Sequence, residues 1–362
     1  MRGYRRFVFI ILGVLFAAVL YNAAVWHLCT RSLLGRGEDG VIPNDLARMG
    51  YLSGYTDPRR NVDDLPRRHL ELADYKGGAI DVVTVGDSFS QGGGNGPNRF
   101  YQDYLATLSE VSVLNVGVYP GSRSQMETAI LLANSGFLDQ LRPRFLLLEI
   151  VERNCYKFTG PQDWGKTEDL SRLRRNYADR AAAATEAVEE ARELPPVGFF
   201  NTGNFKWLLY NVLYRFAPDA FVSKTCKVEL DRPLFSGERG ESLLFLRKDI
   251  EKVQKAEPST LRAFNDNLNR LAELLRARGI ELVFMPAPDK YTLYSPYVVD
   301  NPYPPSRFFE LLRPLPKAYR FIDTEAILSA EIARGEKDIY YLDDTHWSWK
   351  ASRAIFAAER FR

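Results

Sequence analysis

The chain has 362 residues, of which 46% are hydrophobic and 13% aromatic, enough for a packed core and incompatible with global disorder. With 48 basic and 46 acidic residues the net charge is +2, which gives no electrostatic case for a nucleic-acid partner. Three sparse cysteines argue against a disulfide framework and leave one bridge, Cys155 to Cys226, open; three histidines argue against a multi-histidine metal site.

The first element is apolar. Phe7 to Trp26 carries Asn22 as its one clearly polar side chain, and twenty residues at ~1.5 Å rise cover roughly the 30 Å of a bilayer's hydrocarbon core. Arg2, Arg5 and Arg6 precede it and hold the N-terminus in the cytoplasm. The segment reads as a single-pass anchor in the inner, cytoplasmic membrane, with the rest of the chain on the periplasmic or extracellular side. A cleaved signal peptide is the alternative, although its apolar region is usually shorter and Ala23-Ala24 is a poor cleavage site. Residues 1–29 are thus taken as cytoplasmic tip and anchor. Residues 30–78, polar and without sustained periodicity, are taken as a linker.

From 79 onward strand and helix signals alternate. Ala79–Val85 is rich in β-branched residues, Phe100–Leu108 reads as helix, Val111–Val116 as strand and Gln125–Ala133 as helix. Phe145–Val151 is the third strand, and Tyr177–Glu193 reads as an exposed helix that ends before Pro195-Pro196. Residues 195–258, with Phe199, Phe200, Trp207, Tyr210, Tyr214 and Phe216, break the alternation and read as an insertion packed over or beside the sheet. Leu261, Phe264, Leu268, Leu271 and Leu275 then mark one face of an amphipathic helix ending at Gly279. Ile280–Met285 and Phe321–Asp323 are further strands, and Lys350–Phe361 a final helix. The pattern predicts an α/β fold: a mainly parallel sheet with helices on both faces, over residues 79–362, preceded by one transmembrane helix. Ligands of such sheets bind at the carboxyl ends of the strands, which places Ser88, Gly117, Glu152 to Asn154 and Pro286 to Lys290 along one edge.

Two motifs carry chemistry. Gly86-Asp87-Ser88-Phe89 follows a strand and can present a hydroxyl at that edge. Asp343-Asp344-Thr345-His346-Trp347 places a carboxylate two or three residues before a histidine that it can orient. Each motif alone also fits a turn or a helix cap; together they supply nucleophile, base and orienter. Asp87 reads as a turn-stabilising carboxylate. Gly92-Gly93-Gly94-Asn95-Gly96 lacks the Gly-Lys-Ser/Thr ending of a phosphate loop and reads as a flexible loop beside the nucleophile. Trp207 and its aromatic neighbours fit sugar stacking, core packing or membrane-edge contact.

The two motifs together resemble the SGNH (GDSL-type) hydrolase superfamily and, more narrowly, its alginate O-acetyltransferase-like branch, over roughly residues 79–155 and 260–361. Leu148-Glu149-Ile150-Val151-Glu152-Arg153 resembles that branch's strand ending in Glu-x-x-Glu-Arg, and Pro286 to Tyr294 its Pro-x-x-x-Lys-x-x-x-Tyr stretch. The order differs, because in the alginate enzymes the Asp-x-His pair precedes the serine. The third-block Gly-x-Asn-Asp of SGNH enzymes is missing. The resemblance implies Ser88 as nucleophile and His346 as base. It implies Asp344, at Asp-x-His spacing, as the orienter, with Asp343, at Asp-x-x-His spacing, as the alternative and the other carboxylate capping the following helix. Oxyanion donors would be the Ser88 N–H, Gly117 (otherwise an ordinary turn glycine) and Asn154. Arg153, Lys290 and Tyr294 are candidates for substrate contact, with a structural ion pair for Arg153 and plain solvation for Lys290 as the alternatives. No cofactor or metal is expected. The implied reaction is O-acetylation of an exported polysaccharide, with a multi-span membrane acyltransferase as acetyl donor. An acetylesterase with the same triad, or an inactive polysaccharide-binding scaffold, is the rival.

Overall fold

The computed structural model describes residues 2–35, 44–55, 59–193 and 197–361. Its centre is a six-stranded, wholly parallel sheet in the order β1 (Leu70–Glu71), β3 (Val113–Asn115), β2 (Val82–Val85), β4 (Phe145–Val151), β7 (Glu281–Ala287), β8 (Arg320–Phe321). The α/β architecture is the one the alternation predicts. β4 shows why: all seven of its residues are buried, as a central parallel strand covered on both sides requires. Successive side chains enter opposite cores. Phe145, Leu147 and Val151 pack with Val82, Val283 and Met285 under the helices Tyr101–Ser109 and Trp349–Ala358. Leu146, Leu148 and Ile150 pack with Val83, Leu282 and Phe284 under Gln125–Asn134 and Pro258–Arg276.

The helix boundaries follow local chemistry. Ser124 accepts the Glu127 N–H at 3.0 Å, capping the helix that enters from the β3 loop. Pro258 sits in the first turn of the long amphipathic helix, and Gly279, at φ +73°, releases the chain into β7.

Two boundary expectations meet a different arrangement. The stretch read as a linker over 30–78 includes residues 36–43 and 56–58, which lie outside the described residues, but much of the rest is part of the folded body. Asp45–Gly50 is a helix, Leu46, Leu52, Tyr55 and Leu65 join the main core, and Leu70–Glu71 is the edge strand β1. Their apolar residues are too widely spaced to show a period, so only packing reveals them. The insertion read over 195–258 is two things. Its second half is an antiparallel hairpin, β5 (Thr225–Glu229) with β6 (Ser242–Leu246), and it places Cys226, Leu243, Leu244 and Phe245 in the core. Its first half, the helix Thr202–Leu213, lies against the N-terminal helix. All three cysteines are free, so Cys155 and Cys226 form no bridge.

The N-terminal helix, Gly3–Leu34, is long and apolar enough to cross a membrane. It continues past Trp26, and the apolar side chains from Phe9 to Leu20 are exposed.

Candidate active site

The turn after β2 exists because Gly86 has no side chain. A Cβ there would overlap Ser90 Oγ and Glu149 Oε2, so only glycine lets the strand end this close to β4. Asp87 then ties the turn together: its Oδ1 accepts the Phe89 N–H at 3.2 Å and its Oδ2 accepts the Val151 N–H at 3.0 Å. Glu149 Oε2 accepts the Asp87 N–H and the Ser90 hydroxyl, both at 3.0 Å. Burial first, and the Asp87 charge second, holds the Glu149 carboxyl well above the usual carboxylate range. The Asp87 geometry matches the turn-stabilising reading. Ser88 is left exposed at the carboxyl edge of the sheet.

The second motif arrives from the far end of the chain. His346 Nε2 lies 2.7 Å from Ser88 Oγ, and His346 Nδ1 lies 2.6 Å from Asp344 Oδ1, which also accepts the His346 N–H at 2.9 Å. With the Nδ1 proton directed at Asp344, Nε2 is free to accept the serine proton. Burial pushes the imidazolium down. The Asp344 carboxylate and its hydrogen bond, with help from Asp45, more than offset this and raise the His346 pKa above its ordinary value. Between the rival carboxylates the geometry is decisive. Asp344 meets the ring, whereas Asp343 forms a buried ion pair with Arg59 at 2.6 Å. Nor does the second carboxylate cap the following helix: that is done by Ser348, whose Oγ accepts the Lys350 N–H at 3.1 Å.

The aromatic members of both motifs meet as well. The Phe89 ring packs on His346 at 4.7 Å and on Trp347 at 4.8 Å, edge to face in each case. The glycine run is a shaped wall rather than a loose loop. Gly93 N–H donates to Ser88 O at 2.9 Å, and a Cβ on Gly93 would overlap the His346 ring.

Three groups were expected as oxyanion donors. Neither the Ser88 N–H nor the Gly117 N–H has a hydrogen-bond partner among the described residues, and Gly117, at φ +64°, lies two residues past β3, the strand beside β2. Asn154, half-buried after β4, keeps its side-chain amide free of partners in the described residues. The substrate-contact candidates fare differently. Arg153 is buried and paired with Asp289 and Asp249, so it is not available to an anionic sugar. Tyr294 is fully buried and accepts the Tyr340 N–H at 3.1 Å. Lys290 is fully buried too, and its Nζ donates to the carbonyls of Tyr341, Leu342 and Asp344 at 2.7, 2.8 and 3.2 Å. Burial pushes its pKa down to about 7, against the pull of Asp343 and Asp344. Both side chains face away from solvent because they brace the loop that carries His346.

Two residues in the supposed linker also hold that loop, and sequence reasoning missed them. Asp45 accepts the Thr345 N–H at 2.9 Å and its hydroxyl at 2.6 Å. Arg59, besides pairing with Asp343, stacks on Tyr341 at 3.8 Å and donates to Gly94 O at 3.1 Å. No sequence signal marks either one, since each reaches its partner across some 300 residues of chain. Asp45, Asp344 and His346 together could also hold a metal ion by distance alone. The hydrogen bonds of Asp45 to Thr345 and of Asp344 to His346 already account for their placement.

A search of curated proteins returns no match. Residues 241–360 match the family described as the SGNH hydrolase-like domain of acetyltransferase AlgX. That segment contains Lys290, Tyr294, Asp343, Asp344 and His346 and stops short of Ser88, which the fold supplies. Over residues 241–360, therefore, the chain is similar to the SGNH alginate O-acetyltransferase-like branch, an enzyme domain of the acyltransferase or esterase kind.

Proposed function

We propose that this protein is a membrane-anchored O-acetyltransferase that modifies an exported polysaccharide through an acetyl-Ser88 intermediate. The observation that carries the reading is the continuous chain Ser88–His346–Asp344, at 2.7 and 2.6 Å, ending in an exposed hydroxyl. His346 Nε2 takes the Ser88 proton as Oγ attacks the carbonyl of an acetyl ester. The N–H groups of Ser88 and Gly117 and the Asn154 amide receive the negative charge on the carbonyl oxygen. As the tetrahedral intermediate collapses, the donor oxygen leaves with the proton from His346. An acceptor sugar hydroxyl then gives its proton to His346 and attacks the acetyl-serine, and the proton returns to Ser88 Oγ as the ester product departs. Asp344 steadies the imidazolium in both halves.

The acetyl donor fits a multi-span acyltransferase in the same membrane, with Gly3–Leu34 crossing the inner membrane and the catalytic body on the periplasmic or extracellular side. Residues 79–362, with the described residues of 44–78 packed on them, act as one catalytic unit. The exposure of Ser88 also favours hydrolysis, because water reaches the same acyl-enzyme.

The test is intact-mass spectrometry on the full chain in detergent and on its Ser88→Ala variant. Each is mixed with an activated acetyl ester, with and without oligosaccharides. An acetyl adduct that the variant lacks, followed by acetyl on sugar, supports transfer. Free acetate without acetylated sugar assigns the site to an esterase, and the absence of any Ser88-dependent adduct or turnover sinks both.

A further inference from the structure

The helix Thr202–Leu213 is turned inside out for a soluble protein. Phe205, Leu208, Leu209 and Val212 stand at i, i+3, i+4 and i+7, the spacing of one apolar stripe, yet all four are exposed, Phe205 to 66%. The polar edges face the body instead. Trp207 Nε1 donates to Ser53 Oγ at 3.4 Å, Asn211 Nδ2 donates to Tyr51 O at 2.9 Å, and Asn204 is fully buried. Phe200 (71% exposed), Phe216 (74%), Phe221 and Val222, in the segments that flank the helix, are exposed as well. An exposed apolar stripe of this kind marks a partner.

The neighbouring element says which partner. Tyr21 OH donates to Asn204 O at 2.7 Å, Asn22 Nδ2 to Phe199 O at 2.9 Å and Trp26 Nε1 to Val197 O at 3.2 Å; the Tyr21 and Phe205 rings lie 6.3 Å apart. Asn204 Nδ2 donates to Asn22 Oδ1 at 2.7 Å and its Oδ1 accepts the Thr30 hydroxyl, so the buried polar groups of the apolar helix are satisfied by this segment. Length then fixes the depth. From Phe7 to Leu20 the helix rises only about 21 Å, some ~9 Å short of a hydrocarbon core of about 30 Å. The apolar layer must therefore reach the level of Tyr21 to Trp26, where Phe199, Asn204 and Phe205 are docked. An interfacial helix buries its apolar face about 5–10 Å into the headgroup–acyl boundary, which matches that level. Lys206 and Arg215, both exposed beside the stripe, suit anionic headgroups.

We propose that the outer face of Thr202–Leu213, with Phe200, Phe216, Phe221 and Val222, is a lipid-binding collar that seats the catalytic body on the bilayer crossed by the N-terminal helix. The proposal rests on the reading of Gly3–Leu34 as a membrane span. It gives the first half of the supposed insertion a role. It also links the membrane to the site, since this helix packs on Tyr51 and Ser53, directly after the helix whose Asp45 holds Thr345.

The test labels single introduced cysteines with an environment-sensitive fluorophore in the full chain carrying Cys29→Ser. The chain is reconstituted in phosphatidylcholine/phosphatidylglycerol vesicles. Phe205→Cys and Leu209→Cys are expected to give blue-shifted emission that falls when spin-labelled lipid is added, as Phe9→Cys does. Glu273→Cys, on the exposed face of a distant helix, stays water-like. Water-like emission at 205 and 209 with a lipid-quenched label at 9 overturns the collar and leaves the span intact. Water-like emission at 9 as well removes the span and the collar with it. A blue shift at 205 that spin-labelled lipid does not quench overturns the proposal in favour of a second protein surface.

Discussion

At the scale of single residues the site depends on one ring being held in one place by opposed forces. Burial disfavours the His346 cation, and Asp344 and Asp45 more than compensate, so the folded-state pKa stands above the ordinary 6.5. The base form is lost on acidification, so kcat/KM should rise with pH through a pKa above that value. Asp344→Asn should move the limb to lower pH and cost on the order of 10³- to 10⁴-fold in kcat, read from pH–rate profiles of both proteins. Gly93 makes a separate contribution. Its missing side chain is the space that the imidazole occupies, so Gly93→Ala should displace the ring and lower kcat by about 10²-fold with a nearly unchanged melting temperature. Ser88, His346 and the Asp343/Asp344 pair were legible from two short motifs, because spacing along the chain sets which groups can share a turn. The Asp-x-His spacing pointed to Asp344, but what removes Asp343 from the contest was not legible, since that depends on Arg59 arriving from elsewhere to claim it. The burial of Lys290 and Tyr294 was hidden for the same reason: a lysine at a strand end reads as solvated until three backbone carbonyls are seen around it.

At the scale of elements, the stretch that looks like a linker clamps the catalytic loop. Arg59→Met would leave the Asp343 carboxylate buried without its cation. Breaking such a pair costs about 3–5 kcal/mol, so denaturant unfolding should show a loss of that order, with activity falling at temperatures where the protein remains folded. The same stretch carries a pH-sensitive pin. Burial pushes His69 down, but its hydrogen bonds to Asp103 and Glu71 prevail and lift it to about 9. Because the folded pKa lies above the unfolded 6.5, this stabilisation is full below 6.5 and is lost as pH rises through about 9. Thermal melts of the parent protein and of His69→Gln should therefore differ most at acidic to neutral pH and converge above pH 9. The long strands and helices were readable from their apolar period. The two-residue strand β1 and the helix Asp45–Gly50 were not, because elements of two and six residues hold too few turns for a period to stand out.

At the scale of the molecule, the apolar N-terminal helix and the body are fastened by the buried polar contacts among Asn22, Thr30 and Asn204. Removing residues 1–35 should leave Asn204 short of partners and open an apolar surface continuous with Phe205 and Leu209. The truncated chain is expected to elute as aggregates without detergent and as a single species with it, in size-exclusion chromatography beside the full chain. The sequence by itself determined the α/β class, the apolar helix of membrane-spanning length, the two motifs and the family they resemble. These are written in local periodicity and in fixed spacings, which need no knowledge of distant neighbours. Only the tertiary structure decided that Asp343 is claimed by Arg59, that Arg59 and Asp45 hold the loop of His346, and that a helix of the supposed insertion turns its apolar stripe outward. Each of these is a contact between segments far apart in the chain, and the meeting of such segments is settled by packing and charge pairing in three dimensions.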